Sequence, residues 1–187
     1  MNSFYDYIYW RGDISMLNDK FNEIDAMIFS LLSYVNYSHI FPEFSIKKQV
    51  SIVDVVAEFE SKKVFEKAEK ELIDFEKECL KLLKLLSTYN RYSKILVTAY
   101  HESFKIDKTI QFGALTFILE DGTLVLAYRG TDNSIIGWKE NFTMSLDKTV
   151  GSQKYGLSYI NIVKEINEKN IILTGHSKGG NVAVYSG

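Results

Sequence analysis

Apolar residues in the first half of the chain recur with the three- and four-residue spacing of helices. This pattern predicts one helix between Asn22 and Tyr37, with Asn22 as its N-cap. Its apolar positions are Ile24, Met27, Ile28, Leu31, Leu32 and Val35. After the break at Pro42, Ser51 and Asp54 resemble a shortened capping box and predict the start of a second helix.

A third and longer helix is predicted from Phe65 to Leu86. Its apolar face consists of Phe65, Ala68, Leu72, Phe75, Cys79, Leu82 and Leu86. This spacing fits a coiled-coil seam over only about three heptads, so we expect it to pack within its own domain, with an intermolecular coiled coil as the alternative. Cys79 is the only cysteine and lies on this apolar face, which favours a buried structural thiol over a reactive one.

From about Ser93 the pattern becomes typical of strands. The segment "KILVTAY" predicts one strand, and "QFGALTFILEDGTLVLAYRG" predicts an antiparallel hairpin, 111–119 with 123–129, around the turn signal Asp121-Gly122. Helices are predicted at 134–146 and about 153–168. The segment "NIILTG" then predicts a short buried strand, and the residues after Ser177 predict the start of a helix.

These elements place the chain in the α/β class. We expect a helical N-terminal region, residues 1–92, packed on the core. Residues 93–187 would form a mixed sheet with flanking helices.

Composition and charge limit the classes of partner that we expect for this chain. The 187 residues are 46% hydrophobic and 25% charged, as in ordinary soluble proteins, and the net charge of −2 with scattered basic residues argues against nucleic acid as a partner. The N-terminus "MNSFYDYIYWRGD" lacks the features of a signal peptide, and no apolar run approaches the length of a membrane span. We therefore expect a cytoplasmic protein without stable membrane insertion.

The segment "GHSKG", Gly175 to Gly179, matches G-x-S-x-G between a predicted strand and a predicted helix. A sharp turn of this kind exposes the serine hydroxyl, and the glycines let the chain pass close to itself. The turn would also direct the backbone N–H of Lys178 toward a developing oxyanion. The alternative is a glycine turn in a non-catalytic or nucleotide-binding α/β protein.

A second segment, Arg129-Gly130-Thr131, follows a predicted strand and precedes a predicted helix. The backbone N–H of Thr131 could be a second oxyanion donor. Taken alone, the segment is more typical of a loop in which Thr131 or Asp132 caps the next helix.

Together, "LAYRGTDNSIIGWKENF" and "ILTGHSKGGNVAVY" resemble the class 3 lipases, which are α/β hydrolases. Five segments, "YIYWRGDISM", "FNEIDAMIFSLLSYV", "QFGALTF", "GWKENFTMS" and "GHSKGGNVAVY", resemble more closely a bacterial family of uncharacterised lipase-like α/β hydrolases. The resemblance implies Ser177 as nucleophile and the N–H groups of Thr131 and Lys178 as oxyanion donors. It also implies that residues 93–187 are the N-terminal part of an α/β-hydrolase domain ending just after the nucleophile elbow, with an acyl-ester substrate and no cofactor.

The sequence departs from this family in one important way. In the fold, the acid and histidine of the triad follow the serine, but residues 178–187 contain neither. His176 is expected to point away from Ser177 and to pack beside the turn. His39, before Pro42, and His101, past the end of a predicted strand, are expected to be surface or structural residues, and no metal site is predicted.

Two side chains bear on the substrate. The Lys178 ammonium is expected to point to solvent. The alternative hypothesis is that it favours anionic substrates. Trp138 lies in the segment that forms the lid of class 3 lipases and is a candidate substrate contact, although a fixed helix packed on the sheet is the favoured interpretation.

The sequence therefore predicts a serine esterase or lipase that acts on small-molecule or lipid esters through an acyl-enzyme. Residues 1–187 alone are predicted to be inactive, because they lack the acid and the histidine of the triad. The alternative is a non-catalytic binding or interaction module. The strand before Ser177 would have an exposed edge, which predicts that the chain forms a homo-oligomer or is prone to aggregation.

Overall fold

The computed structural model of the protein describes residues 3–105, 110–131, 150–167 and 170–187. The helices are α1 (Phe4–Arg11), α2 (Glu23–Leu32), α3 (Ile52–Ser61), α4 (Val64–Glu71), α5 (Asp74–Leu86), α6 (Asn90–Ser93), α7 (Gly151–Val163) and α8 (Lys178–Ser186). The strands are β1 (Val50–Ser51), β2 (Leu96–Lys105), β3 (Ile110–Ile118), β4 (Leu124–Tyr128) and β5 (Ile171–Gly175).

The strands form one mixed sheet in the order β1-β2-β3-β4-β5. The pairs β1–β2, β2–β3 and β3–β4 are antiparallel, and β5 runs parallel to β4, with Tyr128 paired with Gly175 at their carboxyl ends. The predicted α/β class with a mixed sheet and flanking helices is therefore confirmed. Parallel neighbours bring the segments that follow β4 and β5 to the same edge of the sheet.

Successive side chains of β4 point to opposite faces of the sheet, and each face packs against its own layer of the core. Val125 and Ala127 face the N-terminal helices, whereas Leu124, Leu126 and Tyr128 face α7 and α8. Burial on both faces explains why all five residues of this strand are apolar or aromatic. Helix α2 packs against β5, and the Thr174 hydroxyl donates to the Ala26 carbonyl over 2.9 Å.

Several predicted elements are confirmed. Asn22 caps α2 through its side-chain oxygen, and Ser51 caps α3 by accepting from the Asp54 N–H. Helix α2 ends at Leu32, five residues before the predicted Tyr37. The chain turns there, and the Tyr37 hydroxyl donates to the Leu32 carbonyl over 3.2 Å, satisfying an acceptor that a longer helix would have used.

The predicted single helix from Phe65 to Leu86 is wrong. Leu72 and Ile73 adopt extended backbone angles between α4 and α5. An unbroken helix of this length would extend about 33 Å at 1.5 Å per residue, whereas the break lets both halves contact α3. Cys79 is 3% exposed, as expected for a structural thiol, and burial raises its pKa to about 12.

The second half follows the predicted order. The hairpin β3–β4 closes through Gly122, whose φ of 82° requires a residue tolerant of the left-handed region. His101 was expected past a strand end but lies within β2, next to an irregularity that shifts the register between Thr98 and His101. β5 was expected to be buried; all its residues are half-buried, because within the described ranges it pairs only with β4. The predicted helix at 134–146 lies outside the described residues.

A buried ionic cluster anchors the N-terminal helices. Arg91 and Asp25 are both fully buried and form an ion pair. The remaining N–H groups of Arg91 donate to the backbone carbonyls of Ile14, Asp19 and Lys20. The Tyr92 hydroxyl donates to the same Asp25 carboxylate over 2.9 Å. Such complete pairing is what makes a buried charge tolerable.

Candidate functional site

Two short segments meet where β4 and β5 end. Arg129, Gly130 and Thr131 follow β4, while His176 and Ser177 follow β5 and lead directly into α8. Their proximity is a consequence of the parallel pairing of Tyr128 with Gly175. Carboxyl ends of parallel strands are a common position for ligand-binding and catalytic groups in α/β proteins.

Ser177 occupies an unusual backbone conformation, with φ 56° and ψ −123°. A positive φ is disfavoured for a residue with a Cβ atom and costs on the order of 1–3 kcal/mol. Ser177 is exposed, and its side chain makes no capping hydrogen bond to the first turn of α8. The hydroxyl therefore does not have the ordinary structural role of a serine at the start of a helix.

The turn around Ser177 is so tight that two glycines are required. A Cβ atom on Gly175 would overlap the backbone of Gly179, and one on Gly179 would overlap the carbonyl oxygen of Tyr128. The turn is closed by hydrogen bonds from the Gly179 N–H to the His176 carbonyl, 2.9 Å, and from the Gly180 N–H to the Ser177 carbonyl, 3.0 Å. Strand, serine and helix are thus held in one compact unit.

Gly130 brings the other segment against this turn. A Cβ atom on Gly130 would overlap the Tyr34 hydroxyl and lie 2.5 Å from the His176 carbonyl oxygen and 3.2 Å from the Ser177 Cβ atom. Thr131 follows directly and is half-buried. The two segments that the sequence analysis singled out are therefore in contact, with Ser177 at the contact.

His176 is exposed and is contacted by residues of the N-terminal region. Its Nδ1 atom lies 2.9 Å from the Tyr34 hydroxyl, and its ring packs against the ring of Phe75. Tyr34 and Phe75 also contact each other edge to face, with centroids 4.9 Å apart. Neither aromatic residue was predicted to belong to the site, although Phe75 was assigned to the apolar face of the predicted helix 65–86. The only signal was the helical pattern around them, which gives no information on contacts more than 100 residues along the chain.

The Lys178 side chain contradicts both expectations from the sequence. It is 5% exposed, and its ammonium donates to the Gln111 carbonyl oxygen over 2.7 Å, with the Gln111 side-chain oxygen 3.4 Å away. The ammonium therefore does not point to solvent, and it is already engaged in the interior rather than offered to an anionic substrate. The backbone N–H of Lys178 begins α8, where helix N–H groups favour negative charge.

Comparison with known families agrees with this picture. The model of the Mbeg1-like family, a family named for lipase-like proteins, matches residues 86–187, more than half of the chain. The chain belongs to the Mbeg1-like family. The matched region of this family member begins at the last residue of α5 and includes β2 to β5, both segments of the candidate site and α8. No curated protein and no solved structure matches the chain.

The other two histidines of this Mbeg1-like chain have different surroundings. His101 is half-buried among Phe44, Phe112 and Tyr155, and this burial lowers its pKa, an effect partly offset by Glu102. His39 is exposed, and its backbone carbonyl accepts from Lys62. In the described parts of the chain, no group of histidine, cysteine and acidic residues is placed to hold a metal ion.

A cavity of about 350 Å³ adjoins the candidate site. Tyr34 and Arg129 form part of its wall, so the same residues line the cavity and contact the Ser177 turn. Arg129 is paired with Glu102, another lining residue. Trp138, the proposed substrate contact, lies outside the described residues. Within the described ranges, every helix is too short or too polar to cross a membrane.

Proposed function

We propose that this protein is a lipase-like serine hydrolase of acyl esters, with Ser177 as its nucleophile. The observation that carries the proposal is the strained, exposed Ser177 on a glycine-dependent turn in contact with Gly130. Membership of a family named for lipase-like proteins supports it. A sharp strand-to-helix turn of this geometry is how α/β hydrolases expose a nucleophilic hydroxyl.

The backbone N–H groups of Thr131 and Lys178 are the proposed oxyanion donors. Lys178 directly follows Ser177 and begins α8, and Thr131 directly follows Gly130, the glycine that contacts Ser177 in space. In the reaction, the serine oxygen would attack the ester carbonyl, and a base would accept the hydroxyl proton. The alcohol would leave, and water would then hydrolyse the acyl-enzyme.

In the part of the chain that the structure describes, the contacts of the three histidines do not include the Ser177 hydroxyl. His176 is engaged by Tyr34, and His101 lies in the aromatic cluster on the α7 side of the sheet. We therefore expect residues 1–187 alone to hydrolyse esters no faster than background, since an unactivated serine is a weak nucleophile.

The test uses the complete gene product with p-nitrophenyl esters and a fluorophosphonate probe. We expect the probe to label Ser177, and Ser177→Ala to abolish labelling and to lower kcat on the order of 10⁶-fold, as removal of a serine nucleophile does elsewhere. Ser158→Ala is the matched control, because Ser158 is exposed on α7 and donates only to the Lys154 carbonyl. This control should keep full activity.

Two results would contradict the proposal. One is ester hydrolysis that survives Ser177→Ala at the original rate. The other is a complete gene product that neither hydrolyses esters nor reacts with the probe, which would favour a non-catalytic binding module instead.

A further inference from the structure

The cavity that shares Tyr34 and Arg129 with the surroundings of the Ser177 turn is formed mostly by the N-terminal region. Its volume of about 350 Å³ lies within the range of small-molecule sites. Most of its wall comes from α4, α5 and the segment 34–39, and the sheet side contributes only Glu102 and Arg129. This layer is therefore placed to bind a part of the substrate that extends from the serine.

The wall combines an apolar patch, which can hold an alkyl chain, with charged residues that do not favour an anionic group. The charged lining residues are the acidic Glu71, Glu76 and Glu102 and the basic Lys67 and Arg129. Five lining residues are apolar: Val35, Val64, Ala68, Leu72 and Leu80. The charges of Glu102 and Arg129 offset each other in their ion pair. Lys67 and Glu71 are exposed and can remain hydrated while the cavity is filled. A charged ligand group would lose its hydration in the cavity. The Arg129–Glu102 pair would not compensate for this loss, because each of its charges already has a partner.

The cavity and the Ser177 turn share two residues. Tyr34 lines the cavity and contacts both His176 and Gly130, and Arg129 lines it and directly precedes Gly130. A third connection is Phe75, which packs on His176 and lies next to the lining residue Glu76. A chain attached to a carbonyl group near Ser177 therefore has an apolar space close to it.

We propose that this cavity binds the acyl chain of a neutral ester, so that α4 and α5 set the chain-length preference. The inference rests on the proposed function. At about 30 Å³ for each small group, the cavity holds roughly ten methylene-sized groups. Affinity should increase about fourfold with each added methylene and level off once the cavity is full.

The experiment measures binding, which keeps it independent of catalysis. N-methyl alkanamides of increasing chain length are titrated into the protein by calorimetry; they are neutral and their amide bond resists hydrolysis. We expect the affinity to level off at roughly ten carbons. A decanamide carrying a terminal diazirine should, on irradiation, label the peptide that contains residues 64–80.

Substitutions in the wall should move this limit. Leu72→Trp fills the cavity from a partly exposed position, so the fold should tolerate it, and the affinity should then level off at a shorter chain. Leu72→Ala should extend the limit. Val53→Trp is the control, because Val53 is an exposed apolar residue of α3 that is not part of the wall.

The proposal is overturned if affinity does not depend on chain length, if Leu72→Trp leaves the limit unchanged, or if the diazirine labels only other peptides. Failure of the hydrolase proposal has a different readout, since it would leave Ser177 unlabelled by fluorophosphonate while alkanamide binding persists.

Discussion

The turn around Ser177 and the cluster around Arg91 are both unusual, but in opposite ways. Ser177 has an unfavourable backbone conformation in an exposed position, and its side chain makes no capping bond. Arg91 has a fully buried charge, and its N–H groups donate to Asp25 and to three backbone carbonyls. The Ser177 turn has a strained backbone, and its serine side chain forms no capping bond that would compensate for the strain. In the Arg91 cluster, the buried polar groups are paired.

This difference separates a candidate site from a structural feature. A buried ion pair of high quality holds elements together but has no donor left for a ligand. Strain that the surrounding structure enforces, next to an accessible hydroxyl, is more typical of a functional position. Positive φ alone does not decide the matter: Ala99 also has φ 53°, but it is buried at the irregularity in β2 and has no reactive side chain.

The largest expected effect comes from breaking the Arg91 cluster. Arg91→Ala leaves Asp25 as a buried, uncompensated carboxylate, and it should lower the free energy of unfolding by about 3–5 kcal/mol. Urea denaturation followed by circular dichroism measures this. Arg11→Ala is the control, because Arg11 pairs with Asp19 at 3.2 Å with both side chains about 30% exposed; it should cost about 0–1 kcal/mol. Equal costs would mean that the buried cluster has no special structural role.

Two adjacent glycines test how tightly the turn is built. Gly179→Ala places a Cβ atom 2.6 Å from the Tyr128 carbonyl carbon and 2.9 Å from that of Arg129, and backbone atoms there cannot move aside easily. We expect a loss of about 1–3 kcal/mol in the free energy of unfolding. In Gly180→Ala, the added Cβ atom would lie 3.2 Å from its nearest neighbour, the Gly175 carbonyl oxygen. The higher helix propensity of alanine should offset the cost of this contact. If urea denaturation finds both variants equally stable, the contact between α8 and the end of β4 is looser than described.

The sequence predicted local features of the chain better than contacts between distant residues. The turn at Asp121-Gly122 and the caps at Asn22 and Ser51 were correct, because a few neighbouring residues decide them. The association of the Arg129–Thr131 segment with the Ser177 turn was expected from the resemblance to lipases, and the parallel pairing of β4 with β5 explains their contact.

The errors and omissions concern contacts between residues distant in sequence. No proline or glycine marks the break between α4 and α5; it depends on how both helices pack against α3. Lys178 is flanked by polar residues and glycines and looked exposed, but its acceptor, Gln111, is 67 residues earlier in the chain. The Arg91 cluster was missed for the same reason, since Asp25 is 66 residues away.

The smallest predicted effect addresses the strain at Ser177 directly. Glycine tolerates φ 56°, whereas alanine has the same Cβ atom as serine, so Ser177→Gly should be more stable than Ser177→Ala by about 1 kcal/mol. Comparing these two variants removes the hydroxyl from both and isolates the backbone term. The difference should show in the urea midpoint with an unchanged slope. A glycine variant no more stable than the alanine variant would show that the turn stores no strain, and the contrast with Arg91 would then rest on exposure alone.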